Sequence, residues 1–131
     1  MKLILIADDK ATSRELLRTV LERQGYAVSD AADGKEALEK VRAETPDLIL
    51  LDLQMPIRNG YEVLGELRED PAYATLPIIA LTASAMQGDR EKALAAGFTG
   101  YLAKPVALSH LREEIQRLLD PKNAADSSGI T

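Results

Sequence analysis

Five short apolar runs divide the chain, at 3–7, 26–28, 48–51, 78–81 and 101–103, built from Leu, Ile, Val, Ala and Tyr with no charged interruption. Runs of three to five residues bounded by polar or Gly/Pro-containing segments read as strands rather than buried helices. Between them the apolar residues recur at helical spacing. In the first interval Leu16, Leu17, Val20 and Leu21 share a face, with Arg14, Glu15, Arg18 and Glu22 outside it, and Gly25 supplies the stop. The second carries Ala37, Leu38 and Val41 behind an Asp33 N-cap and closes at Thr45-Pro46. Val63, Leu64 and Leu67 follow Asn59-Gly60 in the third, and the fourth runs over about 87–96 to a stop at Gly97. The last places Leu108, Leu111, Ile115 and Leu118 on one stripe ahead of Pro121.

Strand and helix thus alternate five times, the pattern of an α/β domain whose parallel sheet is covered on both faces. The all-apolar strands agree, because a strand buried on both sides has no wet face to alternate with. Right-handed crossovers leave few topologies, and five βα units of this length predict a flavodoxin-like (βα)5 sandwich of sheet order 2-1-3-4-5. There is no internal repeat. The domain is expected over 1–120, with the small, polar stretch 121–131 as a frayed tail or cut linker.

Composition narrows the function classes. The chain has 131 residues and is 46% hydrophobic, enough to bury a core without a disulfide, and with no Cys it has none to use. Lack of Cys fits a reducing compartment. Aromatics are only 4% and Trp is absent, so the core is aliphatic and a base-stacking platform is disfavoured. Sixteen basic against twenty-one acidic residues leave a formal charge of −5, the wrong sign for nucleic acid or anionic membrane. The apolar opening is too short for a signal peptide and stops at Asp8-Asp9, and no other run approaches membrane-spanning length. A cytoplasmic location is expected.

In open parallel sheets, sites form beyond the carboxyl ends of the strands. The first strand ends in Asp8-Asp9, the third in Asp52 and the fourth in Thr82, while the fifth leads into Lys104-Pro105. Taken singly these are ordinary: Asp9 as a helix cap, Asp52 as a turn residue, Thr82 as a strand former, Lys104 as a solvated cation and Tyr101 as a core aromatic. Together, three carboxylates, a hydroxyl and an ammonium at one sheet edge make a phosphoryl-transfer site.

At this point the chain resembles the receiver domain of two-component response regulators over about residues 2–119. The resemblance is carried by Leu5-Ile6-Ala7-Asp8-Asp9, by Asp47 through Pro56 including Asp52-Leu53-Gln54-Met55, by Asn59-Gly60, by Ile78-Ile79-Ala80-Leu81-Thr82-Ala83 and by Tyr101-Leu102-Ala103-Lys104-Pro105. It implies a phosphorylation-dependent switch rather than an enzyme, with Asp52 as phosphoacceptor. It further implies that Asp8, Asp9, Asp52 and the backbone carbonyl of Gln54 hold Mg²⁺, and that Lys104, aimed by a cis Lys104-Pro105 bond, pairs with a phosphoryl oxygen. Thr82 would turn toward the phosphoryl group and Tyr101 would follow inward, changing the surface of helix four, strand five and helix five. Small Ala83 leaves the phosphoryl open, and Gln54 and Ser84 flank the path of an attacking water. The implied partners are a sensor histidine kinase or phosphotransfer protein and a downstream protein target. No direct DNA or membrane binding is expected of this monomer or weak dimer. Lys10 and Arg58 depart from the commonest family pattern and add positive charge at the rim.

Other classes fit less well. An aspartate-nucleophile phosphohydrolase needs a second acid two residues after the nucleophile, where this chain has Gln54. A phosphotransfer domain using His110 would be all-helical, and neither G-x-x-x-x-G-K-[ST] nor G-x-G-x-x-G occurs. A degenerate receiver used only for interaction normally lacks a key residue, and all are present here. Met1 directly ahead of the first strand favours a free-standing regulator, whereas the polar tail leaves open a receiver from a hybrid kinase.

Overall fold

A computed structural model describes residues 1–119; the expected tail at 121–131 lies outside them. The elements run β1 Leu3–Ala7, α1 Ala11–Arg23, β2 Ala27–Ala31, α2 Gly34–Glu44, β3 Leu48–Asp52, α3 Gly60–Glu69, a single 3-10 turn Pro71–Tyr73, β4 Ile78–Thr82, α4 Asp89–Ala96, β5 Gly100–Ala103 and α5 Leu108–Leu119. The strands form one parallel sheet in the order β2-β1-β3-β4-β5, as expected from the alternation.

Successive strand residues feed opposite layers. Leu5, Ala7, Ile49, Leu51, Ile78 and Ala80 pack with Val41, Val63, Leu64 and Leu67 of α2 and α3, while Ile4, Ile6, Leu48, Leu50, Ile79 and Leu81 pack with Leu17, Leu21, Leu111 and Ile115 of α1 and α5. β3 is the middle strand and all five of its residues are buried. A fully buried Leu or Ile contributes about 1.5–3 kcal/mol, so these two layers supply the main driving force.

Caps set the starts of α2 and α3, the one at Asp33 as read from sequence. Asp33 accepts from the backbone N–H of Glu36, and Asn59 and Glu62 form a reciprocal capping box ahead of α3. Gly60, the first residue of α3, lies so close to the end of β3 that a Cβ there would meet the Asp52 carbonyl oxygen at 2.5 Å. The helix therefore abuts the end of β3 directly.

The differences from expectation have physical causes. β2 continues to Ala31, past the apolar run expected at 26–28, through Ser29 and Asp30; as an edge strand with one neighbour, β2 tolerates polar side chains, and Asp30 meets Arg14, Arg18 and Lys40. α4 starts at Asp89 rather than at 87, because Gly88 takes a positive φ and Asp89 turns back to accept from the Met86 N–H. Leu16 and Leu108, expected on the core stripes, are 63% and 48% exposed. Leu16 lies about 100° around α1 from buried Leu17, and Leu108 stands at the first turn of α5, where both border a shallow apolar groove with Pro105 and Val106.

Candidate functional site

The site residues arrive at one edge because parallel strands end together. Asp8, Asp52 and Thr82 are the buried polar or charged residues of the described chain, each at or just past the end of β1, β3 or β4. All three turn the chain in the same way. Asp8 Oδ1 accepts from the Lys10 N–H at 2.9 Å, Asp52 Oδ1 from the Gln54 N–H at 2.9 Å, and Thr82 Oγ1 from the Ser84 N–H at 3.1 Å. A short polar side chain that bonds its own backbone two residues on ends the strand and fixes the side chain at the rim.

Lys104 comes from the far side of the sheet, just after β5. Its backbone N–H donates to the Thr82 carbonyl at 2.7 Å, and its Nζ donates to Asp8 Oδ2 at 2.6 Å and Asp52 Oδ2 at 3.0 Å. The Lys104-Pro105 peptide bond is cis. Asp9 is exposed, yet one oxygen from each of Asp8, Asp9 and Asp52 lies within 4.8 Å of the others. Three hard carboxylates with lone pairs to spare match the oxygen preference of Mg²⁺, so the donor set fits the expected ion. The residue at N-cap of α1 is Lys10, so Asp9 does not cap that helix.

Burial pushes the Asp52 carboxyl above its ordinary range; the Gln54 N–H and Lys104 pull it down, and the Asp8 charge adds to the rise. Burial also works against the Lys104 ammonium, but its bonds to Asp8 and Asp52 outweigh that and hold it above the usual lysine value. One ammonium facing two carboxylates is therefore firmly charged, while Asp52 is harder to ionise than a free aspartate.

Tyr101 and Thr82 lie on the same face of neighbouring strands, since Tyr101 pairs with Ala80 and Ala103 with Thr82. The Tyr101 ring packs against the layer containing Tyr61 and Phe98, and its hydroxyl is buried with no partner among the described residues. The ring thus packs toward the core layer on the Thr82 face of the sheet. Gln54, Ala83, Ser84, Lys10 and His110 are exposed, and Arg58 pairs with Glu66.

Sequence reasoning missed Arg14, assigned to the outer face of α1. Its side chain is only 19% exposed and its Nη1 donates to the Asp8 carbonyl at 2.7 Å. The signal was present: Arg14, Leu17 and Leu21 are spaced i, i+3, i+7, which puts them on one stripe.

This fold, with an acidic cluster at the carboxyl edge of a 2-1-3-4-5 parallel sheet, defines an α/β domain of the CheY-like class. The chain belongs to the response regulator receiver domain family, whose model matches residues 4–116. It is 36% identical to the polar-differentiation response regulator DivK of Brucella anthropi, over 90% of this chain and 96% of that one. Among solved structures, the Vibrio cholerae chemotaxis protein CheY4 superposes with a TM-score of 0.83 at 34% identity, covering 90% of this chain and 98% of its own. The receiver domain of sensor histidine kinase PA1611 from Pseudomonas aeruginosa PAO1, solved with magnesium coordinated in its active site cleft, gives 0.82 at 38% identity, covering 89% and 96%. The protein is a receiver domain of two-component signalling, a family of signalling switches. Among the described residues no helix is long and apolar enough to cross a membrane.

Proposed function

We propose that Asp52 is the phosphoacceptor of a two-component phosphorelay, taking a phosphoryl group from a sensor histidine kinase or phosphotransfer protein. The observation that carries this reading is the Lys104 ammonium shared between Asp8 and Asp52 at the end of the central strand. An Asp52 carboxylate oxygen attacks phosphorus, the N–P bond of the donor histidine breaks, and the imidazole nitrogen takes the released electron pair, leaving an aspartyl phosphate. Lys104 donates to a phosphoryl oxygen, and Thr82, at the end of the adjacent strand, offers its hydroxyl to another. Asp8, Asp9, Asp52 and the Gln54 carbonyl hold Mg²⁺, which supplies the positive charge that lets an anionic donor approach three carboxylates. The magnesium in the cleft of the similar PA1611 receiver supports that assignment.

The output is a protein partner read through the α4, β5 and α5 surface, where Arg90, Tyr101, His110 and Arg117 line a groove. Net charge of −5 argues against direct DNA binding. This reading takes residues 1–120 as one receiver unit, acting in the cytoplasm as a monomer or weak dimer and assisting its own dephosphorylation.

The test is incubation with acetyl phosphate and Mg²⁺ followed by intact mass spectrometry. Wild type gains one HPO₃ unit and Asp52→Asn gains none. A phosphoryl group on Asp52→Asn, or none on wild type, overturns the assignment.

A further inference from the structure

We infer that Arg14 is a positioning residue for the acidic pair, setting Mg²⁺ affinity through the backbone rather than through its charge. The inference rests on the reading that Asp8, Asp9 and Asp52 hold Mg²⁺. Asp8 is anchored on every side: its N–H donates to the Ala31 carbonyl at 3.0 Å, Oδ1 accepts from Lys10 and Oδ2 from Lys104. Asp9 is not. Its carboxylate makes no hydrogen bond or ion pair with the described residues, so its direction depends on the peptide unit that joins it to Asp8.

Arg14 controls that unit. Nη1 donates to the Asp8 carbonyl at 2.7 Å, while Nε lies 3.7 Å from Asp30 Oδ2 on the edge strand. Asp30 is in turn 3.4 Å from Arg18 Nη2 and 4.0 Å from Lys40 Nζ, so it cannot follow Arg14 freely. The planar guanidinium, with donors fixed in a fork, therefore braces the loop after β1 against β2. Without it the Asp8–Asp9 peptide can rotate, and Asp9 leaves the other two carboxylates.

The sign of the effect separates this role from the obvious alternative. A guanidinium near a cation site repels the cation, so removing it should tighten Mg²⁺ binding if charge were all that mattered. Loss of a group that orients a ligand instead weakens metal binding by about 10–100-fold.

Mg²⁺ titration of the chelator-treated full chain by calorimetry tests it. Arg14→Met is expected to weaken binding about tenfold; Arg14→Lys, which keeps the charge but not the fork, also weakens it. Arg42→Met, which removes a cation that pairs with Glu66 and touches neither Asp8 nor Asp30, leaves affinity unchanged. At saturating Mg²⁺, Arg14→Met phosphorylates with acetyl phosphate close to the wild-type rate, because Asp52, Thr82 and Lys104 are intact. Should Arg14→Met not fold, Asp30→Asn, which releases the far end of the brace, gives the same direction with a smaller loss. Equal or tighter binding by Arg14→Met, or full affinity in Arg14→Lys, overturns the inference. Failure of wild type to bind Mg²⁺ instead overturns the metal assignment beneath it.

Discussion

Lys104 Nζ lies 2.6 Å from Oδ2 of Asp8, a residue 96 positions earlier in the chain and fully buried. The contact crosses from the end of β5 to the end of β1, over the intervening ends of β4 and β3. Lys104 is thus both a structural counter-ion and, on the reading above, a ligand for the incoming phosphoryl group. Each role makes a separate demand on the same ammonium.

Lys104→Met leaves Asp8 and Asp52 facing each other without a cation. Breaking a buried pair by removing one partner costs about 3 kcal/mol, and the variant is expected to lose that much at neutral pH without Mg²⁺. The deficit shrinks as pH falls and Asp52, already raised by burial, protonates, and also shrinks when Mg²⁺ is added. Chemical denaturation at several pH values reads both trends. Phosphorylation of Lys104→Met remains detectable by mass, but hydrogen exchange in α4 no longer responds to it.

Asp52→Asn melts higher than wild type in EDTA at neutral pH. The sign follows from the carboxyl being pushed above its ordinary 3.8 by burial. Well below pH 3.8 it is protonated in folded and unfolded chains alike; between 3.8 and the raised folded value the unfolded chain ionises first and stability falls, and above the folded value the penalty is complete. The advantage of Asn is therefore present at pH 7 and gone in acid. Millimolar Mg²⁺ reverses the order, because binding to the folded wild type adds about 2.7 kcal/mol at a hundred times Kd. Thermal melts of the two proteins at pH 4 and 7, with and without Mg²⁺, decide it.

Gly60→Ala disturbs the Asp52 end of β3 from behind. Its Cβ would stand 2.5 Å from the Asp52 carbonyl oxygen and 2.8 Å from Leu53 Cα, both backbone atoms that cannot swing aside. Overpacking of this kind costs about 1–3 kcal/mol, and the strand end carrying Asp52 must shift. Denaturant midpoints give the first quantity, and the rate of acetyl-phosphate labelling, expected to fall, reports the second.

Tyr101→Phe removes a hydroxyl that is buried without a partner among the described residues, so it is expected to stabilise the chain by about 1 kcal/mol rather than weaken it. The wild-type phenol is held above its ordinary 10.0 by burial first, with Asp89, Tyr61 and Glu91 adding to it. Its folded form therefore favours the neutral phenol, and wild-type stability falls as pH rises past 10.0 while that of the Phe variant falls less. Urea unfolding at pH 8 and pH 10.5 checks both parts.

The central strands and the helix caps were legible because each rests on local chemistry: unbroken apolar runs for β3 and β4, and Asp33 and Asn59 for the starts of α2 and α3. The edge strand was not. Ser29 and Asp30 carry no strand signal, and only the arrival of Arg14, Arg18 and Lys40 from two helices makes Asp30 at home there. Asp8, Asp9, Asp52, Thr82 and Lys104 could be placed at one edge as soon as the strands were taken as parallel, since strand ends are then all on one side. An inward Tyr101 was within reach as a core aromatic, but the burial of its hydroxyl with no partner among the described residues was not, because it depends on a layer assembled from distant elements.

Asp52 ends the strand that has two neighbours on each side, and hydrogen bonding continues past it from the Leu53 N–H to the Leu81 carbonyl. To move that strand, four others would have to be dragged along. The centre of the sheet is therefore a fixed datum, and news of a modification there has to travel sideways through individual side chains to whatever is least encumbered. α4 answers that description: Ala93 is its one buried residue, and residues 83–88 leading into it are exposed. Substitutions that retune the signal without disturbing folding should then concentrate between Ala83 and Ala96, far more than along β3.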